Sequence, residues 1–146
     1  MNIRTAYWTA FHGYDLAVDN SPDPTPDPVG ESLRIELIHA GDGRASFEMT
    51  VRDDMVNGHG TCHGGIIFLL GDTVMDYATN VGNPLSVAVH AEVDYVSPAH
   101  IGDRLNAEGG VNDSWGRTGL VDATITNITT GKIVAHFRGR TREIGR

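Results

Sequence analysis

Between Cys62 and Asn80 the chain reads CHGGIIFLLGDTVMDYATN, and on a helix its apolar residues, from Ile66 to Ala78, go nearly all the way round. A helix apolar on most sides has to be covered on most sides. The flanking sequence supplies the cover. LRIELIHA and GRASFEMTV read as two strands about a turn at 40–43. Val87, Val89, Ala91, Val93 and Tyr95 alternate, which predicts one face of a strand that Ser97-Pro98 ends. Three more strands are expected at 104–111, 118–127 and 132–142, with a hairpin turn at 127–131 joining the last two. Short-linked strands about one long buried helix predict an α+β domain, an antiparallel sheet of five to six strands curled around that helix.

At 146 residues the chain is expected to be a single domain, 1–146. Ile3, Tyr7, Phe11 and Tyr14 recur at helical spacing, so an extra N-terminal helix is expected over 1–19, its aromatic stripe used for packing. NSPDPTPDPVG, residues 20–30, alternates proline with small and acidic residues and reads as a surface loop. A lone cysteine, Cys62, rules out an internal disulfide and a four-cysteine zinc site. There is no apolar run of the roughly 20 residues a spanning helix needs, nor a signal-type N-terminal stretch, so a cytoplasmic protein without membrane contact is expected.

The net charge of −8 argues against nucleic acid as a partner. Its distribution says more: Lys132 to the end carries a local +4, and the rest of the chain −12. A small anionic ligand could therefore be held at the C-terminal end. Arg138, Arg140 and Arg142 alternate with His136 in line, so on a strand all face one way, either as a solvated outer face or as a grip on phosphates.

Chemistry gathers around the helix. His63-Gly64-Gly65 opens it, and glycines there leave backbone N–H groups uncovered at the positive end of the helix dipole, ready for an oxyanion; close packing is the structural alternative. Asp72, among Phe68, Leu69, Leu70, Val74 and Met75, is costly to desolvate unless it is bonded or has work to do. Asp76 is one turn further on, where a like charge raises the pKa of one of the pair, unless it reaches solvent near the helix end. His59, Cys62 and His63 are close, but no companion ligands complete a zinc set, so no metal is expected. Cys62 could be a nucleophile at a helix N-terminus or a buried apolar residue. His12, His39 and His100 show no partner spacing.

Three stretches together, MVNGHGTCHGGIIFLLGDTVMDYATN, VDYVSPAHIGDRL and HFRGRTREIG, resemble the PaaI-type hotdog-fold thioesterases, from about Leu33 to Gly145. The resemblance implies a hotdog core over 31–146 and hydrolysis of acyl-CoA thioesters, of phenylacetyl- or hydroxyphenylacetyl-CoA type, to the free acid and CoA. It implies no cofactor beyond the CoA of the substrate, and assembly into homodimers and usually homotetramers. By position in the motif, Asp72 matches the catalytic carboxylate, Gly64 the N–H that polarises the thioester carbonyl, Asn57 a residue orienting water or substrate, and His63 the residue leading the oxyanion helix. Substrate contacts are expected at Gly65, Phe68, Thr73, His90, Ser97, Arg138 and Arg140, with Phe68, Leu69 and Tyr77 lining an aryl-sized pocket. Most relatives of this type carry a small apolar residue in place of Asp76, and they often carry Ser or Thr in place of His90. The alternatives are a non-catalytic acyl-CoA-binding hotdog protein, a thioesterase for medium-chain aliphatic acyl groups, or a dehydratase of the same fold.

Gly64 and Asp72 are eight residues apart, about 12 Å along a helix at ~1.5 Å per residue. Both have to lie within about 3 Å of one carbonyl and its attacking water. One chain cannot easily supply both, so a catalytic site is expected to join Gly64 of one subunit to Asp72 of another across a two-fold axis.

Overall fold

The computed structural model describes residues 27–144; the expected helix at 1–19 lies outside them. Helix α1 (Pro28–Ser32) comes first, so the proline-rich segment ends in a turn of helix rather than in loop. Asp27 caps that turn by accepting from the Val29 N–H at 3.1 Å, and Pro28 begins the helix, where its missing N–H costs nothing.

Strands β1 (Glu36–Gly41) and β2 (Arg44–Thr50) form a hairpin closed by Asp42 and Gly43, both at positive φ (54° and 72°) as the tightest hairpin turns require. A short 3-10 turn (Asp53–Met55) leads to helix α2 (Gly64–Asn80). Strand β3 (Ser86–Tyr95) follows, then the meander β4 (Arg104–Trp115), β5 (Thr118–Asn127) and β6 (Lys132–Glu143). All pairings are antiparallel, in one six-stranded sheet ordered β1-β2-β4-β5-β6-β3. This is the helix wrapped by a sheet expected of a hotdog fold.

The sheet lies closest to α2 at two points. A Cβ on Gly71 would come within 2.5 Å of the Phe137 ring, and one on Gly139 would collide with the Met75 sulfur. Glycine facing a large side chain, once from each element, sets the helix directly on β6. Phe68 packs edge-to-face on Phe137, ring centroids 5.4 Å apart, and Tyr77 on Phe47 at 4.9 Å.

Strand β3 departs from the expected alternation. Its register on β6 shifts between Ala88 and His90, so Val89 is the extra residue of a bulge. Ala91 opposes buried Gly139 and faces the helix, but before the bulge the inward positions are Ser86 and Ala88. Val87 and Val89 are left exposed.

Candidate active site

A cavity of about 320 Å³ opens between the second half of α2, the start of β3, the end of β6 and the cap of α1. Asp72, Thr73 and Asp76 line it from the helix, Ser86 from β3, Thr141 from β6 and Asp27 from α1. The Asp72 carboxylate accepts no hydrogen bond and meets no cation among the described residues. Burial first, then the charges of Asp76 and Asp27, push its pKa above the ordinary carboxylate value. Asp76 is exposed at the cavity mouth, yet it too is pushed up, by the protein packed around it and by Asp27, while a hydrogen bond from the Asn80 amide pulls it back. That bond is 2.7 Å long. Asn80 is itself clamped on the backbone of Ser86, donating to its carbonyl at 3.1 Å and accepting from its N–H at 2.7 Å, so the end of α2 is tied to the start of β3. Thr73 gives its hydroxyl to the Leu69 carbonyl at 2.8 Å.

The other end of α2 is arranged differently. Nδ1 of His63 accepts from the Gly65 N–H at 2.9 Å, which makes His63 the helix cap and occupies the Gly65 donor. The neighbouring Gly64 N–H has no acceptor among the described residues. Tyr95 donates its hydroxyl to the Gly64 carbonyl at 2.8 Å, and a Cβ at Gly64 would stand 2.9 Å from that hydroxyl oxygen, a close approach that favours glycine there. Asn57 shapes the loop before the helix. Its Oδ1 accepts from the His59 N–H at 2.9 Å and its amide donates to the Thr61 hydroxyl at 3.1 Å. The structure therefore puts Gly64, Gly65, His63 and Asn57 at one end of α2 and Asp72 more than two turns away.

A match to the thioesterase superfamily covers residues 59–134, both ends of the helix included. The chain belongs to the thioesterase superfamily. Among thioesterase relatives it is 39% identical to the acyl-coenzyme A thioesterase PaaI of Escherichia coli K12 over 82% of this chain and 84% of that protein, whose structure superposes with a TM-score of 0.78. A variant of the phenylacetic acid degradation protein PaaI from Thermus thermophilus is 31% identical over 81% of this chain and all of that one, with a TM-score of 0.76. Human acyl-coenzyme A thioesterase 13 is 31% identical over 77% of this chain and 81% of its own length.

Within this thioesterase fold the remaining expected residues are scattered. Phe68 and Tyr77 serve the core through their aromatic partners, leaving Leu69 beside Asp72. His90 opposes Arg140 on the outer face of the sheet, across the strand from Asp72. Ser97 donates its hydroxyl to the Ile133 carbonyl, in the segment after β3. His136, Arg138, Arg140 and Arg142 do share the outer face of β6, alternating with buried Ala135, Phe137, Gly139 and Thr141. Arg138 is taken by Asp122 in a two-pronged ion pair (2.6 and 2.9 Å), whereas Arg140 and Arg142 have no ion-pair partner among the described residues.

Cys62 is buried, and burial pushes its thiol up to about 11, so the thiolate a nucleophile needs is scarce at neutral pH. Among the described residues no three His, Cys, Asp or Glu side chains are placed to hold a metal ion, His59, Cys62 and His63 included. No helix among them is long and apolar enough to cross a membrane. Sequence reasoning missed Asn80, Ser86, Thr141 and Asp27 as cavity residues. One signal was there for Thr141, which alternates with the outward arginines and so points inward.

Proposed function

We propose that the chain is an acyl-CoA thioesterase acting on phenylacetyl- or hydroxyphenylacetyl-type esters in the cytoplasm, releasing the free acid and CoA. One observation carries this reading: a single helix bears a half-buried carboxylate at Asp72 and an N–H at Gly64, neither with a partner among the described residues. These are the base and the oxyanion donor that thioester hydrolysis requires.

The two are about 12 Å apart at ~1.5 Å per residue, so the working unit is a homodimer, within a homotetramer, in which Gly64 of one subunit faces Asp72 of another. Ionised Asp72 takes a proton from water as the water oxygen bonds to the thioester carbon. Gly64 N–H stabilises the oxyanion, helped by the helix dipole. The C–S bond then breaks, and the CoA sulfur leaves with the proton from Asp72. Direct attack by Asp72 through an anhydride uses the same groups. Asn57 and His63 act by holding the loop and the helix start that aim Gly64. The nucleotide phosphates of CoA fit the arginines on β6, Arg140 above all, since Asp122 already neutralises Arg138.

The test is thiol release over a panel of aryl, short, medium and long acyl-CoAs. Turnover of aryl esters above the rest is the expected result, and a flat, negligible response to all of them overturns the reading.

A further inference from the structure

Helix α2 opens on two glycines, the residues with the freest backbone. An oxyanion donor, by contrast, works best when its direction is set before the reaction begins. Both peptide planes that flank Gly64 are fixed. The plane carrying the Gly64 N–H is held by the His63 carbonyl, which accepts from the N–H groups of Ile66 at 2.9 Å and Ile67 at 3.2 Å. The next plane, between Gly64 and Gly65, has both of its polar atoms taken by side chains. Its N–H donates to Nδ1 of His63, and its carbonyl accepts from the Tyr95 hydroxyl. His63, Ile66 and Ile67 belong to the helix start itself, whereas Tyr95 lies 31 residues further along. Among the described residues its hydroxyl is the only group from the sheet that bonds to the glycine pair. At the opposite end of the same strand, Ser86 is clamped by Asn80, so β3 grips α2 at both ends.

We infer that Tyr95 is a positioning residue for thioester hydrolysis: its hydroxyl pins the Gly64 carbonyl and so fixes the direction of the Gly64 N–H. Tyr95 closes β3 and opposes buried Ala135, which puts its side chain on the helix side of the sheet. The residue is 55% exposed, so burial of the ring does not by itself account for a tyrosine there, and a phenylalanine would lack the bond. In this role Tyr95 touches neither the ester nor the attacking water, and its effect passes through one peptide plane. Negative charge gathers on the thioester oxygen only as the water oxygen bonds to carbon. A donor turned aside therefore weakens the transition state and leaves binding of the ester nearly as it was. The inference rests on the oxyanion role proposed for Gly64 and adds the residue that makes that donor rigid with respect to the sheet.

The experiment measures kcat and KM of wild type, Tyr95→Phe, Gly64→Ala and the double variant on the acyl-CoA that wild type turns over fastest, with thermal unfolding of each. Removing an oxyanion donor outright costs about 10²–10³ in kcat. Turning one aside should cost Tyr95→Phe about tenfold in kcat, part of that full loss, with KM within about twofold of wild type. Its unfolding midpoint should stay within about 4 °C of wild type. Because Gly64→Ala already displaces the phenol, the double variant should be within about threefold of Gly64→Ala alone. Four results would each overturn the positioning role and leave the thioesterase standing: wild-type kcat in Tyr95→Phe, a loss carried by KM, a larger fall in unfolding midpoint, or losses that multiply in the double variant. If wild type hydrolyses no acyl-CoA, the thioesterase reading falls and takes this inference with it.

Discussion

The Tyr95 hydroxyl donates to the Gly64 carbonyl at 2.8 Å, tying the end of β3 to the first residue of α2. A methyl group on Gly64 would stand 2.9 Å from that hydroxyl oxygen. Because the obstruction is the far end of an exposed side chain, Gly64→Ala should fold, with Tyr95 displaced. We expect it to lose at least tenfold in kcat as the adjoining N–H shifts. Tyr95→Phe, which removes only the tether, should cost about 1 kcal/mol or less in unfolding free energy. Steady-state kinetics and thermal unfolding of the two variants check this, and full activity in Gly64→Ala would contradict the role given to its N–H.

Asp72→Asn should retain less than a tenth of wild-type turnover while remaining folded. Its stability should carry the opposite sign. The pKa of Asp72 is raised in the folded protein, so the fold holds that proton more tightly than the unfolded chain does and is penalised once the group ionises. Asp72→Asn should therefore be more stable than wild type at pH 7. The advantage should fade as pH falls through the raised folded value towards the ordinary 3.8 of the unfolded chain. Denaturant melts from pH 4 to pH 8 read this directly. The same shift places the acidic limb of the wild-type rate profile above the ordinary carboxylate range.

On the outer face, Arg140→Glu should raise KM for CoA esters several-fold while leaving short thioesters that lack the nucleotide nearly unaffected. Arg138→Glu should do less to CoA binding and more to the sheet, since it sets a second carboxylate against Asp122. Equal effects of Arg140→Glu on both substrate types would contradict a phosphate grip.

Mixing inactive subunits tests the shared site. Gly64→Ala and Asp72→Asn, refolded together, should regain activity that neither has alone, because a mixed pair holds one site with both groups native and one with neither. The yield should approach a quarter of wild type, since about half of randomly formed pairs are mixed. No recovery in a preparation where mixed pairs are demonstrated would place Gly64 and Asp72 in separate roles.

The core of the fold was legible because its periods are strong: a helix apolar all round can only be central, and four of the six expected strands have both ends within a residue of the observed ones. Asp72 was legible for the same reason, as a charge where the pattern calls for an apolar side chain. Val89 was not. The alternation from Val87 to Tyr95 looks unbroken in sequence, and only pairing with β6 reveals the extra residue that turns Ser86 inward and Val87 outward. His90 lies on the outer face opposite Arg140, where its alternation with Ala91 and Val93 places it. Asn80 and Ser86 became cavity residues through the approach of β3 to the helix end, a long-range arrangement with no local signature.

The eight-residue separation of Gly64 and Asp72 has a last consequence, in how the protein responds to dilution. A site assembled from two copies exists only while the copies stay together, so turnover per subunit should be constant at high concentration and collapse below the dissociation constant of the pair. On the shared-site reading proposed above, the amount of protein present acts as a switch on the activity.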